Sequence, residues 1–191
     1  MDEKPRCDWQ TTLPVYIDYH DNEWGRPVHD DQKLFEMLIL EGMQAGLSWE
    51  TVLKKREAFR EAFDHFDPAK VALYDDDKRL ELLGNAGIIR NRLKINAAII
   101  NAGLFLEIQE KYGSFAQFIW EYVDHKPIDH QYESLDDIPP THPVSDKISK
   151  DLMKMGFKFV GSTIIYAFMQ ATGLVNDHVT SCFVYKELAE H

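Results

Sequence analysis

The chain has 191 residues, 45% of them hydrophobic, with 21 Lys and Arg against 32 Asp and Glu. This length suits one domain with a sizeable core or two small helical lobes sharing a cleft, and ordinary globular usage excludes wholesale disorder and low-complexity or collagen-like architecture. A net charge of -11 argues against a nonspecific polyanion coat and leaves room for a local basic face.

In chain order, spacings of three and four between apolar residues recur after residue 30, and strand signals are scarce, so an all-α fold is expected. Asp30 and Asp31 can cap a helix carrying Leu34, Phe35, Leu38 and Met43 that ends near Gly42 to Gly46, with Glu41 on or just after its last turn. Ser48 caps the next helix, which carries Val52, Leu53, Phe59 and Phe63 and stops before Asp67-Pro68. Shorter helices are predicted over 68–74 and 76–83, a long one over 90–112 with Gly103 as a bend or boundary, and another over 114–123. Residues 124–143 hold four of the eight prolines and read as the longest loop, dividing two parts of the fold. Helices over 145–155 and 161–172 follow, and a last short one begins near Asp177.

The densest apolar stretch, 163–175, is about half a bilayer crossing and is broken by Gln170, Thr172 and Gly173, so no membrane span is expected. The first residues lack the basic start and apolar run of a secretory signal, and a cytoplasmic protein follows as the expectation. In that reducing setting a disulfide between Cys7 and Cys182 is unusual. Each cysteine has a histidine nearby in sequence. If His178 and Cys182 share a helix, their spacing of four puts both on one face, and Cys7 with His20 completes a tetrahedral Zn2+ set. Ordinary reduced cysteines beside surface histidines are the alternative. Four protein ligands leave no open position for water, so such a zinc would be structural.

A second signal is the stretch Met155-Gly156-Phe157-Lys158-Phe159-Val160-Gly161-Ser162 between two predicted helices, which reads as a helix-hairpin-helix. Two glycines allow a tight turn, and the backbone N–H groups opening the second helix can bind a DNA phosphate without a basic domain. Lys147, Lys150, Lys154 and Lys158 make the surroundings more positive than the average, although an ordinary turn between core helices with a solvated lysine face accounts for the same residues. A third signal joins Trp9, Tyr16, Tyr19, Trp24 and Trp49 with Glu41. Aromatic faces hold an extruded base by stacking, more strongly when the base is cationic, and a carboxylate adds charge complementarity. Core packing and a surface acid are the plainer reading of the same residues.

Taken together, Arg6-Cys7-Asp8-Trp9, Tyr19-His20-Asp21-Asn22-Glu23-Trp24-Gly25, Leu40-Glu41-Gly42 with Gln44-Ala45-Gly46-Leu47-Ser48-Trp49, Ala86-Gly87-Ile88-Ile89-Arg90, Gly156 to Gly161 and Leu174-Val175-Asn176-Asp177-His178 resemble the DNA-3-methyladenine glycosylase I family of the helix-hairpin-helix superfamily. The resemblance spans nearly the whole chain. It implies a single glycosylase unit over 1–191, a helix-hairpin-helix near 145–173, and a terminal region formed by 1–25 and 174–191 around a structural Zn2+ on Cys7, His20, His178 and Cys182. It implies that alkylated double-stranded DNA is bound through Gly156, Lys158, Gly161 and Ser162. An extruded 3-methyladenine would meet Glu41, the catalytic candidate, among Trp9, Tyr16, Tyr19, Trp24 and Trp49, and would be released as free base by a monomeric, monofunctional enzyme.

Asp177 lies where superfamily relatives place a catalytic aspartate, but this family departs from that pattern, and a helix cap is the other reading. The metal is expected to be remote from the base. Two other classes remain: a noncatalytic helix-hairpin-helix protein that binds or senses alkylated DNA, and a zinc-stabilised interaction protein.

Overall fold

The computed structural model describes residues 4–9 and 11–189. Its helices are α1 (Pro14–Asn22), α2 (Asp31–Gln44), α3 (Trp49–Ala62), α4 (Pro68–Val71), α5 (Asp76–Gly84), α6 (Arg92–Tyr112), α7 (Phe115–Trp120), α8 (Pro143–Met155), α9 (Ser162–Ala171) and α10 (Phe183–Ala189). Helix starts follow local chemistry. The side chains of Asp30, Ser48, Asp67, Asp75, Asn91 and Ser114 each accept an N–H from the first turn of the helix they precede. Asp31 serves another helix instead: its carboxylate accepts Phe115 N–H and Ala116 N–H, both at 2.8 Å, at the start of α7.

The centre of the molecule is α2, where every residue from Leu34 to Met43 is buried. A helix hidden on all sides needs neighbours on all sides, and α3, α6, α7 and α9 supply them. Phe35 packs edge-on to Phe105 of α6, and Phe105 stacks on Phe115 of α7 at 4.2 Å. Full burial of each ring contributes roughly 1.5–3 kcal/mol. Glycine at position 103 does not end α6, which runs unbroken to Tyr112, where Gly113 at φ +89 closes it.

Among the described residues the fold departs from a purely helical expectation in one short strand pair. The 124–143 segment contains β1 (Ile128–Asp129), which pairs in parallel with β2 (Val175–Asn176) after α9. This segment is therefore tied to the C-terminal region and does not run as a free divider. The turn between α8 and α9 opens with Gly156 at φ +103, a backbone conformation open to glycine at little cost. Its second left-handed position is Phe159, at φ +54. Gly161 has φ -59 and caps α9 in an ordinary extended conformation, so the expectation that both glycines shape the turn holds for Gly156 alone. Among the described residues no helix is long and apolar enough to cross a membrane.

Candidate active site and metal centre

Four short stretches converge on one cavity of about 360 Å³. Its walls include Trp9, Tyr16 and Tyr19 of the N-terminal region, Trp24 after α1, Glu41 and Gln44 of α2, and Trp49 opening α3. All six residues expected to surround a base thus line the same space. Leu135, Ile138, Ala167 and Gln170 close it from the 124–142 segment and from α9, and composition gave no signal for them. The rings support one another: Trp9 lies 5.2 Å from Tyr16 and 4.8 Å from Trp24, and Tyr19 lies 5.5 Å from Trp49.

Glu41 is 4% exposed. Burial pushes its carboxyl up to about 8, because charge is costly without water. Burial, with Glu41 adding, also raises the Tyr16 and Tyr19 phenols, so both stay neutral hydrogen-bond donors. The indole N–H of Trp49 is buried with no partner among the described residues. A carboxyl poised to ionise, an orphan donor and a shell of aromatic faces together suit a flat, polar-edged, cationic ring.

Asp177 is 1% exposed and its carboxylate is fully engaged. Oδ1 is 2.6 Å from His130 Nδ1, while Oδ2 accepts the Tyr166 hydroxyl at 2.6 Å and the Gln170 amide at 2.8 Å. It reaches the cavity only through Gln170. It is no helix cap either, since α10 begins at Phe183.

Beside the cavity, Cys7, His20, His178 and Cys182 are all buried, with their ligand atoms within 4.8 Å of one another. Sulfur-to-nitrogen distances are 3.4 Å for Cys7 to His178 Nδ1, 3.6 Å for Cys182 to His178 Nδ1 and 3.7 Å for Cys182 to His20 Nε2. Tetrahedral Zn–S and Zn–N bonds would separate sulfur from nitrogen by about 3.6 Å, so the set fits the ion. The remaining ring nitrogens are anchored as metal-bound histidines require. His20 Nδ1 meets Asp21 at 2.8 Å, Asp21 is held by Arg6, and His178 Nε2 meets the Trp24 carbonyl at 2.9 Å. Contact with Cys7 pulls the Cys182 thiol down, with the two histidines adding, and the same contact pushes Cys7 up.

Two sequence expectations change here. His178 and Cys182 do not share a helix; they reach the cluster from the turn before α10, where Cys182 N–H donates to the Val179 carbonyl. Nor is the cluster remote from the cavity. His20 lies 4.8 Å from the Trp9 ring and His178 4.6 Å from the Trp24 ring, and both tryptophans line the cavity wall.

The α8–α9 turn carries the remaining candidates. Gly161 opens α9 with no side-chain cap, and a side chain there would meet nothing within 4 Å, so the helix N-terminus is open to an outside acceptor. Lys158 is exposed. Ser162 is half-buried, its hydroxyl donating to the exposed Asp146 and sharing a 2.8 Å bond with Ser145, both of α8.

The methyladenine glycosylase family model matches residues 9–185. DNA-3-methyladenine glycosylase 1 of Escherichia coli (strain K12) is 53% identical over 94% of this chain and 96% of its own length. The DNA-3-methyladenine glycosylase of Haemophilus influenzae is 49% identical over 93% of this chain and 96% of its own. Among solved structures, a 3-methyladenine DNA glycosylase I superposes with a TM-score of 0.91 at 56% identity, covering 94% of this chain and 98% of that one. A variant of such an enzyme in complex with 3-methyladenine also scores 0.91, at 41% identity, covering 93% and 96%.

Proposed function

Because the chain belongs to the methyladenine glycosylase family, we propose that it hydrolyses the N-glycosidic bond of 3-methyladenine extruded from alkylated duplex DNA, leaving an abasic site. The observation that carries this reading is Glu41, a buried carboxyl with no counter-ion among the described residues, facing an aromatic cavity. Methylation at N3 makes the base cationic and a good leaving group, so strong protonation of the base is unnecessary. Recognition and charge stabilisation become the enzyme's task. Burial by itself favours the protonated acid; a cationic base favours the carboxylate, so binding couples lesion charge to loss of the Glu41 proton. Glu41 then meets the base edge and stabilises positive charge as water attacks C1′. Trp9, Tyr16, Tyr19, Trp24 and Trp49 supply the faces that hold the base.

The α8–α9 region reads as a helix-hairpin-helix that takes a DNA phosphate at the open N-terminus of α9, with Gly156 shaping the turn, Lys158 adding charge, Gly161 leaving room and Ser162 fixing the helix start. Cys7, His20, His178 and Cys182 would hold Zn2+ as a structural ion that joins 1–25 to 174–191. We read the chain as one cytoplasmic, monomeric unit and, on the family likeness, as monofunctional; no lysine is among the described residues that line the cavity.

The test is release of free bases from methylated duplex DNA, resolved by chromatography, for wild type and Glu41→Gln. Free 3-methyladenine with 7-methylguanine retained is the expected result, reduced in the variant. Binding of the same DNA without release of any base would leave a lesion sensor in place of an enzyme.

A further inference from the structure

Two buried polar residues of α6 take no part in the cavity, yet each holds one of the two backbone segments beside it. Lys94 sits in the first turn of α6, 8% exposed, where both burial and the helix dipole disfavour an ammonium. What compensates is the far end of α2. Lys94 Nζ donates to the Met43 carbonyl at 2.8 Å and to the Ala45 carbonyl at 2.6 Å. Helix α2 has no basic residue in its own last turn, so a cation from α6 satisfies the carbonyls that follow Glu41.

Asn101 lies seven residues on, on the same face of α6, and is 3% exposed. Its amide closes a two-bond pair with the backbone of Lys158: Nδ2 donates to the carbonyl at 2.9 Å, and Lys158 N–H donates to Oδ1 at 2.8 Å. The neighbouring Phe159, in its left-handed conformation, packs against α2 so closely that a side chain on Gly42 would come 3.4 Å from the Phe159 Cβ. Lys94, Asn101, Gly42 and Phe159 line a gap of about 10 Å³, so the two segments pack side by side while each is held to α6 by its own residue.

We propose that α6 is the spine that keeps the base cavity in register with the DNA-facing turn, with Lys94 positioning the end of α2 and Asn101 positioning residues 156–161. This rests on the glycosylase reading above. The two residues act through backbone and touch neither base nor phosphate, so their losses separate. Asn101→Ala loosens the turn that meets DNA; Lys94→Met loosens the cavity that meets the base.

The experiment measures three quantities for wild type, Asn101→Ala and Lys94→Met: the concentration of methylated duplex giving half-maximal single-turnover rate, that maximal rate, and affinity for free 3-methyladenine by tryptophan fluorescence. Asn101→Ala is expected to raise the half-maximal duplex concentration about tenfold with base affinity unchanged. Lys94→Met is expected to lower base affinity and maximal rate by about the same factor, with a smaller change in duplex binding. Circular dichroism sets a temperature at which each protein is folded. Should an alanine or methionine variant not fold, Asn101→Asp, which keeps the acceptor for Lys158 N–H, and Lys94→Gln replace them with the same split expected. Parallel losses in both quantities, or no change in either, would overturn the positioning role while wild type still releases base. Failure of wild type to release 3-methyladenine would instead overturn the glycosylase reading, and this inference with it.

Discussion

Glu41 holds its proton in the folded chain to about pH 8, while the unfolded group releases it near 4.5. Between those values the folded state binds more protons, so this group makes stability fall as pH rises across the window and adds no further change above it. Glu41→Gln removes the titration. Thermal denaturation of the two proteins is expected to show the variant gaining on wild type between about pH 5 and pH 8.5, and a constant difference would contradict the burial argument. Activity should run the opposite way, since the ionised form is the one that meets a cation. kcat/KM for base release is expected to rise with pH to a plateau above about 8, and Glu41→Gln to fall on the order of 10²-fold with a flatter profile. A wild-type profile flat from about pH 6 to 9 would remove Glu41 from this role. The acid and its aromatic neighbours were legible as residue types at suggestive positions. Gln170 was not, because its place on the cavity wall follows from the packing of α9 against α2.

Between elements, Arg56 of α3 ties two carboxylates together. Its guanidinium grips Glu23 with two bonds of 2.9 Å and Glu36 of α2 with one of 2.7 Å. Although burial opposes it, Arg56, with Lys33 adding, pulls the Glu23 carboxyl down to about 2. Without the arginine, Glu36, which is 7% exposed, keeps Arg60 at 2.9 Å and Glu23 keeps Lys33 at 2.7 Å, so Arg56→Met is expected to cost roughly 1.5–3 kcal/mol in urea denaturation, the worth of lost hydrogen bonds between charged groups. A loss below about 1 kcal/mol would place the cluster with surface pairs. Helix starts marked by Asp30, Ser48 and Ser114 were readable because a cap is a local bond. The first helix escaped notice: Leu13 gives it no side-chain cap, and only Tyr19 and His20 are buried, so there is little periodicity to read. The β1–β2 pair escaped for a different reason, since two-residue strands 47 positions apart leave no local pattern.

At the scale of the molecule, residues 7 and 20 meet residues 178 and 182 in the Cys/His cluster, and the cluster meets the cavity. Gly25, at φ +76, lets the backbone pass where a side chain would come within 2.8 Å of the His178 ring. Cys182→Ser is expected to reduce bound zinc, read by elemental analysis, and to lower the melting temperature, as should a chelator acting on wild type. Because Trp9 and Trp24 rest on His20 and His178, base affinity should fall with metal content. Full zinc occupancy in the variant would rule out Cys182 as a ligand.

The sequence alone determined which chemistry is present: helical periodicity, local caps, a glycine-bearing turn, two Cys and two His, and an acid with aromatics. Those signals are carried by residue type and near spacing. The tertiary structure decided what they form together. Only packing brings residues 9, 24, 41 and 49 around one cavity, sets the Cys/His cluster against its wall and gives Lys94 and Asn101 their backbone partners 49 to 57 residues away. Burial and distance are properties of the folded chain, and they raise the Glu41 pKa and bring four ligand atoms within reach of one ion.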